Sequence, residues 1–117
     1  MYYRFEKLEV WKLAREFTVA IYKVTSRFPK EEIFGLVSQI RRVSVSIVLN
    51  IAEGSDKKSD AEFKRFLRMS LGSIEEVISG LYIALDLDFI NRKDFDSLYQ
   101  MSGLVVSKLK GLINSLK

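Results

Sequence analysis

Apolar residues recur at steps of three and four along almost the whole chain, a periodicity that fits amphipathic helices and little else. Val10, Ala14, Phe17, Ile21, Val24 and Phe28 form the first such stripe, and Leu36, Ile40, Val43, Ile47 and Ile51 the second. Phe63, Phe66, Leu67, Ser70, Ile74, Val77, Leu81 and Leu85 form the third; Phe95, Leu98, Ser102, Val105, Leu109, Leu112 and Leu116 the fourth. The spacing predicts a first helix over about residues 8–27, closed by Phe28-Pro29, because proline restricts the residue before it and cannot continue the backbone ladder. A second is predicted over about residues 31–53, stopped by Gly54 as a C-terminal cap. Residues 43–47 alternate like a β-strand, but the helical spacing extends well beyond them and a lone strand would have no partner.

Ser59 with Glu62 three residues on reads as a capping box opening the third helix, which then runs to about Leu87. Asp88 tolerates the left-handed conformation of a tight connection, and Asn91, helped by Asp94, caps the fourth helix. With 6 Gly and a single Pro among 117 residues, the chain lacks the turn residues of an all-β protein. Its length suits one domain, residues 1–117. Short connections between helices of similar length make neighbours antiparallel, so the expected fold is all-α, an up-down-up-down four-helix bundle.

The chain has no Cys and no His, which removes disulfides, the usual zinc and copper ligands, and the commonest general base near neutral pH. No Gly-rich phosphate loop, di-metal carboxylate pattern or nucleophile constellation is present. The expectation is a non-enzyme with no cofactor, no metal and no small-molecule substrate. An enzyme reading would need a deep pocket lined by Glu53, Glu75 or Glu76 around a metal. No apolar run reaches membrane-spanning length and the N-terminus has no apolar signal core, so a cytoplasmic protein without a membrane partner is expected. The net charge of +4 permits a nucleic-acid partner without requiring one.

Two sets of residues exceed what a core needs. Gln39, Arg42, Ser46, Asn50 and Glu53 fall within roughly 80° of one another on a 3.6-residue helix. They form either a solvated face or, since Val37, Val45, Val48 and Leu49 make that helix apolar on most other sides, a subunit interface or buried polar network. Gly72-Ser73 and Glu75-Glu76 match them on the third helix, where Glu76 could pair with Arg42. The second set is Lys57, Lys58, Lys64, Arg65 and Arg68, crowded at the start of the third helix, with Glu75, Glu76, Asp86 and Asp88 in its later half. The helix dipole favours the reverse order by roughly 0.3–1 kcal/mol per charge. A solvated face, a bound phosphate backbone or a neighbouring subunit's acidic end would each account for it. Phe63 and Phe66 lie on the apolar stripe and are expected in the core, whereas Trp11, Tyr2 and Tyr3 are expected to be partly exposed.

Phe5-x-x-Leu8-x-Val10-Trp11, Gly35-Leu36-x-x-Gln39-Ile40-Arg41-Arg42, Ser46-Ile47-x-x-Asn50-Ile51-Ala52-Glu53-Gly54, Phe63-x-x-Phe66-Leu67 and Gly72-Ser73-x-x-Glu76 together resemble the four-helix-bundle family of 23S ribosomal RNA intervening-sequence proteins, over nearly the whole chain. The resemblance implies a bacterial, cytoplasmic bundle that assembles as a homopentameric ring. A related branch, the accessory variability protein of diversity-generating retroelements, implies RNA or DNA as a partner together with a protein such as a reverse transcriptase. Ser70 departs from the Ala usual in the family, and Asp88 from a common Gly. Two functions follow as expectations. One is an oligomeric nucleic-acid-binding scaffold, with Lys57, Lys58, Lys64, Arg65 and Arg68 on phosphates and Gln39, Arg42, Ser46, Asn50, Glu53, Ser73 and Glu76 organising assembly. The other is a protein-interaction module that touches no nucleic acid.

Overall fold

Each apolar stripe becomes a helix with that stripe turned inward. A computed structural model describes residues 1–117. The helices are α1 (Glu9–Thr25), α2 (Leu36–Ser55), α3 (Asp60–Asp86) and α4 (Arg92–Ser115), with short 3-10 turns at Arg4–Lys7 and Lys30–Glu32 and no strand. The alternating residues 43–47 lie inside α2. No helix is long and apolar enough to cross a membrane.

Contacts between helices fix their directions. Arg41 Nε donates to Thr25 Oγ1 at 2.9 Å, and Thr18 Oγ1 donates to the Ser44 carbonyl at 3.0 Å, so α2 runs back along α1. Ser70 Oγ meets the Ile47 carbonyl while Gly80 lies against Ile40, so α3 runs opposite to α2. Arg27–Asp94 and Lys108–Glu9 ion pairs join the two ends of α1 and α4. The Tyr82 and Phe95 rings meet at 4.8 Å, and the Lys117 backbone N–H donates to Asp60 at the far end, setting α4 against α3. The result is an antiparallel bundle 43 Å long and about half as wide.

Phe17, Ile21, Ile47, Ile51, Phe63, Leu67, Ile74, Leu81, Phe95, Leu98 and Leu109 are sealed from solvent. Every hydroxyl buried in this core donates to a carbonyl, those of Thr18 and Ser70 on the neighbouring helix and those of Thr25, Ser44, Ser55 and Ser102 on their own, and no buried side-chain nitrogen or oxygen lacks a partner. Burying such a group unpaired costs about 1–3 kcal/mol. Ser70 is one of these hydroxyls: its Oγ reaches across to α2 and donates to the Ile47 carbonyl at 2.9 Å.

Several boundaries differ from the sequence expectations. α2 starts at Leu36 rather than near residue 31, because Lys30–Glu32 close a 3-10 turn first. Gly54 does not cap α2 but sits inside it; a Cβ there would lie 2.6 Å from the Phe66 Cβ, so glycine is what lets α2 and α3 close together. Half of the capping box forms: the Glu62 backbone N–H donates to Ser59 Oγ at 3.1 Å, while the Glu62 carboxylate turns to Arg65. Asn91 caps α4 through the Asp94 N–H at 2.7 Å, and Asp88 adopts φ 60°, the left-handed conformation expected of it.

Candidate nucleic-acid interface

The turn between α2 and α3 closes one end of the bundle, and the five basic residues gather on it. Lys57 and Lys58 stand in the turn, and Lys64, Arg65 and Arg68 on the first turns of α3. Phe63 and Phe66 are buried, as their place on the stripe requires. Their rings carry cations instead of bases: Lys57 Nζ lies 5.1 Å and the Arg65 guanidinium 4.7 Å from the Phe66 ring centre. Such contacts are weak where solvent reaches them. Here they hold two flexible cations near the surface of α3.

Arg65 is also gripped by Glu62, at 3.1 and 3.2 Å. The hydrogen bond first, and the guanidinium charge second, hold the Glu62 carboxyl below its usual range and raise Arg65 in return. Lys57, Lys58, Lys64 and Arg68 have no carboxylate within ion-pair distance. The first turn of α3 also contains Asp60 and Glu62, so the dipole is met by anions before the cations begin and the charge order is less adverse than the basic residues alone suggest.

The asymmetry extends to the whole end. Residues 1–16, 47–72 and 105–117, the half of the bundle that holds the α2–α3 turn, carry twelve of the 19 Lys and Arg but seven of the 15 Asp and Glu. One half of the bundle is therefore at +5 and the other at −1. A charge so distributed attracts polyanions to one end from beyond contact distance.

The polar line of α2 is only partly drawn together. Arg42 donates to Gln39 within α2, and Ser46 Oγ donates to Ser73 Oγ on α3 at 2.9 Å. Arg42 makes no ion pair with Glu76; the nearer Gln39 takes its guanidinium, and Glu76 stays exposed. Asn50 and Glu53 continue the line without side-chain hydrogen bonds to it. Beside Gln39 and Val43 lies an open groove of about 380 Å³, lined on the α3 side by Gly72, Glu75, Glu76 and Gly80.

Arg4 was not singled out by sequence. It lies 5.0 Å over the Phe63 ring and donates to the Ser55 carbonyl at 3.3 Å, strapping the N-terminal turn across the end of α2. Residues 4–7 precede the helical period, and no spacing rule marks them.

Residues 6–111 match a family model described as 23S rRNA-intervening sequence protein. No curated protein matches the chain. Among solved structures, the chain is similar to a Bacteroides thetaiotaomicron protein of unknown function from the S23 ribosomal protein family. The two share 27% identity with a TM-score of 0.79, over 89% of this chain and 97% of that one.

Proposed function

The chain belongs to the 23S rRNA-intervening sequence protein family, and we propose that it is a non-enzymatic, self-assembling scaffold that holds nucleic acid, RNA first, on the α2–α3 end of its bundle. The observation that carries this reading is the concentration of unpaired cations there: Lys57, Lys58, Lys64 and Arg68 around the partly neutralised Arg65. Lysine and arginine without carboxylate partners bind phosphates and release their counterions, which gives affinity with little sequence preference. Self-assembly, as the ring of five implied by the family resemblance, falls to the α2–α3 face, where Gln39 and Glu76 line the groove, Arg42 bonds to Gln39, Ser46 bonds to Ser73, and Asn50 and Glu53 continue the polar line further along α2.

The test is fluorescence anisotropy with a structured RNA and a matched DNA, using the wild type and a Lys64→Glu, Arg65→Glu, Arg68→Glu variant whose assembly has been checked by sedimentation. Binding that falls by more than about tenfold in a still-assembled variant supports the reading. Equal binding by the two proteins contradicts it. A second reading, a protein-interaction module, is favoured by the groove beside Gly72 and Gly80. No nucleic-acid binding by the wild type at low salt would make that the better account.

A further inference from the structure

The N-terminal turn brings aromatic rings to the basic end. Tyr2 is 99% exposed and Tyr3 63%. Tyr3 stacks on Phe5 with ring centres 5.6 Å apart, the tilted Trp11 ring meets Phe5 at 4.8 Å, and the Arg15 guanidinium lies 5.5 Å from the Trp11 ring centre. The row is held in place by backbone and cation contacts rather than by the exposed rings. The Tyr3 N–H donates to Glu6 at 3.0 Å, and Arg4 ties the turn to Ser55 and Phe63. Phe63 itself is buried, but Arg4 over its ring sets the turn beside the start of α3, and the aromatic row and the cations therefore lie at the same end of the bundle.

Between the turn and α2 runs an open cleft of about 630 Å³, lined among others by Tyr2, Tyr3, Arg4, Leu49, Glu53 and Asp56. Leu49 is 60% exposed within it. Leu49 and the tyrosines give the cleft apolar walls against which the flat face of a base can lie. Glu53 and Asp56 outnumber Arg4 in this lining and so disfavour a phosphate, while both carboxylates can accept from the amino groups of a base. Phosphates are left to Lys57 and Lys58, which follow Asp56 directly in the chain.

We infer that this surface takes single-stranded nucleic acid: unpaired bases stack on Tyr2 and Tyr3 over the cleft while the backbone runs along the cations of the α2–α3 end. A duplex offers its phosphates but keeps its base faces stacked inside, so it gains nothing from the tyrosines. The inference rests on the phosphate-binding reading above and adds to it the strand state of the ligand. RNA and DNA share the chemistry used here, and the sugar makes no contact that the argument needs.

The experiment measures anisotropy for the full chain with an unpaired oligonucleotide and a duplex hairpin of equal length, each as RNA and as DNA. The proteins are the wild type, Tyr2→Ala/Tyr3→Ala and Tyr2→Phe/Tyr3→Phe, checked for helicity by circular dichroism. The wild type should prefer the unpaired strand. The alanine variant should lose about tenfold on that strand and nothing on the duplex, and the phenylalanine variant should recover the loss. Equal wild-type binding to both strand states, unchanged in the alanine variant, overturns this inference and leaves phosphate binding standing. Binding to neither overturns both.

Discussion

Arg65 is bound by Glu62 through two hydrogen bonds, whereas Arg68, one turn further along α3, has no carboxylate partner. The pair makes Glu62 a brake on the basic end. Its carboxyl is held below the ordinary value of 4.5 by the Arg65 hydrogen bond and charge. A depressed carboxylate contributes stability above its unfolded pKa and loses it as pH falls through the folded one, so the pair is intact at neutral pH and opens only in acid. Both side chains are about half exposed, so solvent screens that contribution to stability.

Glu62→Gln should therefore leave the fold intact, because the Ser59 cap uses the backbone N–H of residue 62. It should strengthen RNA binding and make the slope of log Kobs against log salt more negative by about 0.7–0.9, one additional phosphate contact. Anisotropy across a salt series reads both effects. An unchanged slope would show that Arg65 takes no part.

Two glycines should respond in opposite directions. Gly54→Ala pushes a methyl to within 2.6 Å of the Phe66 Cβ and should destabilise by about 1–3 kcal/mol. Gly72→Ala meets nothing within 4 Å and should stabilise by about 0.5–1 kcal/mol through helix propensity alone. Urea unfolding midpoints, read at low protein concentration to limit assembly effects, distinguish them.

Ser70→Ala removes a buried donor to the Ile47 carbonyl. That carbonyl keeps its place in the α2 ladder, so the cost should not exceed about 1.5 kcal/mol. A larger loss in denaturant unfolding would mean that the hydroxyl fixes how α2 and α3 pack.

Gly72→Arg tests the assembly face. The position is open in the monomer, so helicity should persist while a long charged side chain blocks approach of a second copy beside the Glu75–Gly80 groove. Sedimentation velocity should show a smaller species than the wild type. An unchanged species would place the contact elsewhere.

The parts of the molecule governed by short-range periodicity were legible in the sequence. Phe17, Ile47, Phe63, Ile74 and Leu109 are buried because the three-four step puts them on one side of a helix. Asn91 and Asp88 act as their chemistry suggests. A glycine near a helix end can serve as a cap or permit a close approach, and at Gly54 only the position of Phe66 decides between them. Arg42 and Glu76 could pair by charge sign, yet Gln39 three residues away on the same helix reaches Arg42 without crossing to α3. The partial exposure of Tyr3 and Trp11 was expected, but the contact of Arg4 with Ser55 and the meeting of Tyr3, Phe5 and Trp11 about a 3-10 turn follow no periodicity.

The most direct test is the salt dependence of RNA affinity for the wild-type protein. Four cations without carboxylate partners, Lys57, Lys58, Lys64 and Arg68, give an expected slope of about −3 in log Kobs against log salt per chain engaged. A slope near zero, or no measurable affinity at low salt, would contradict phosphate binding at the α2–α3 end.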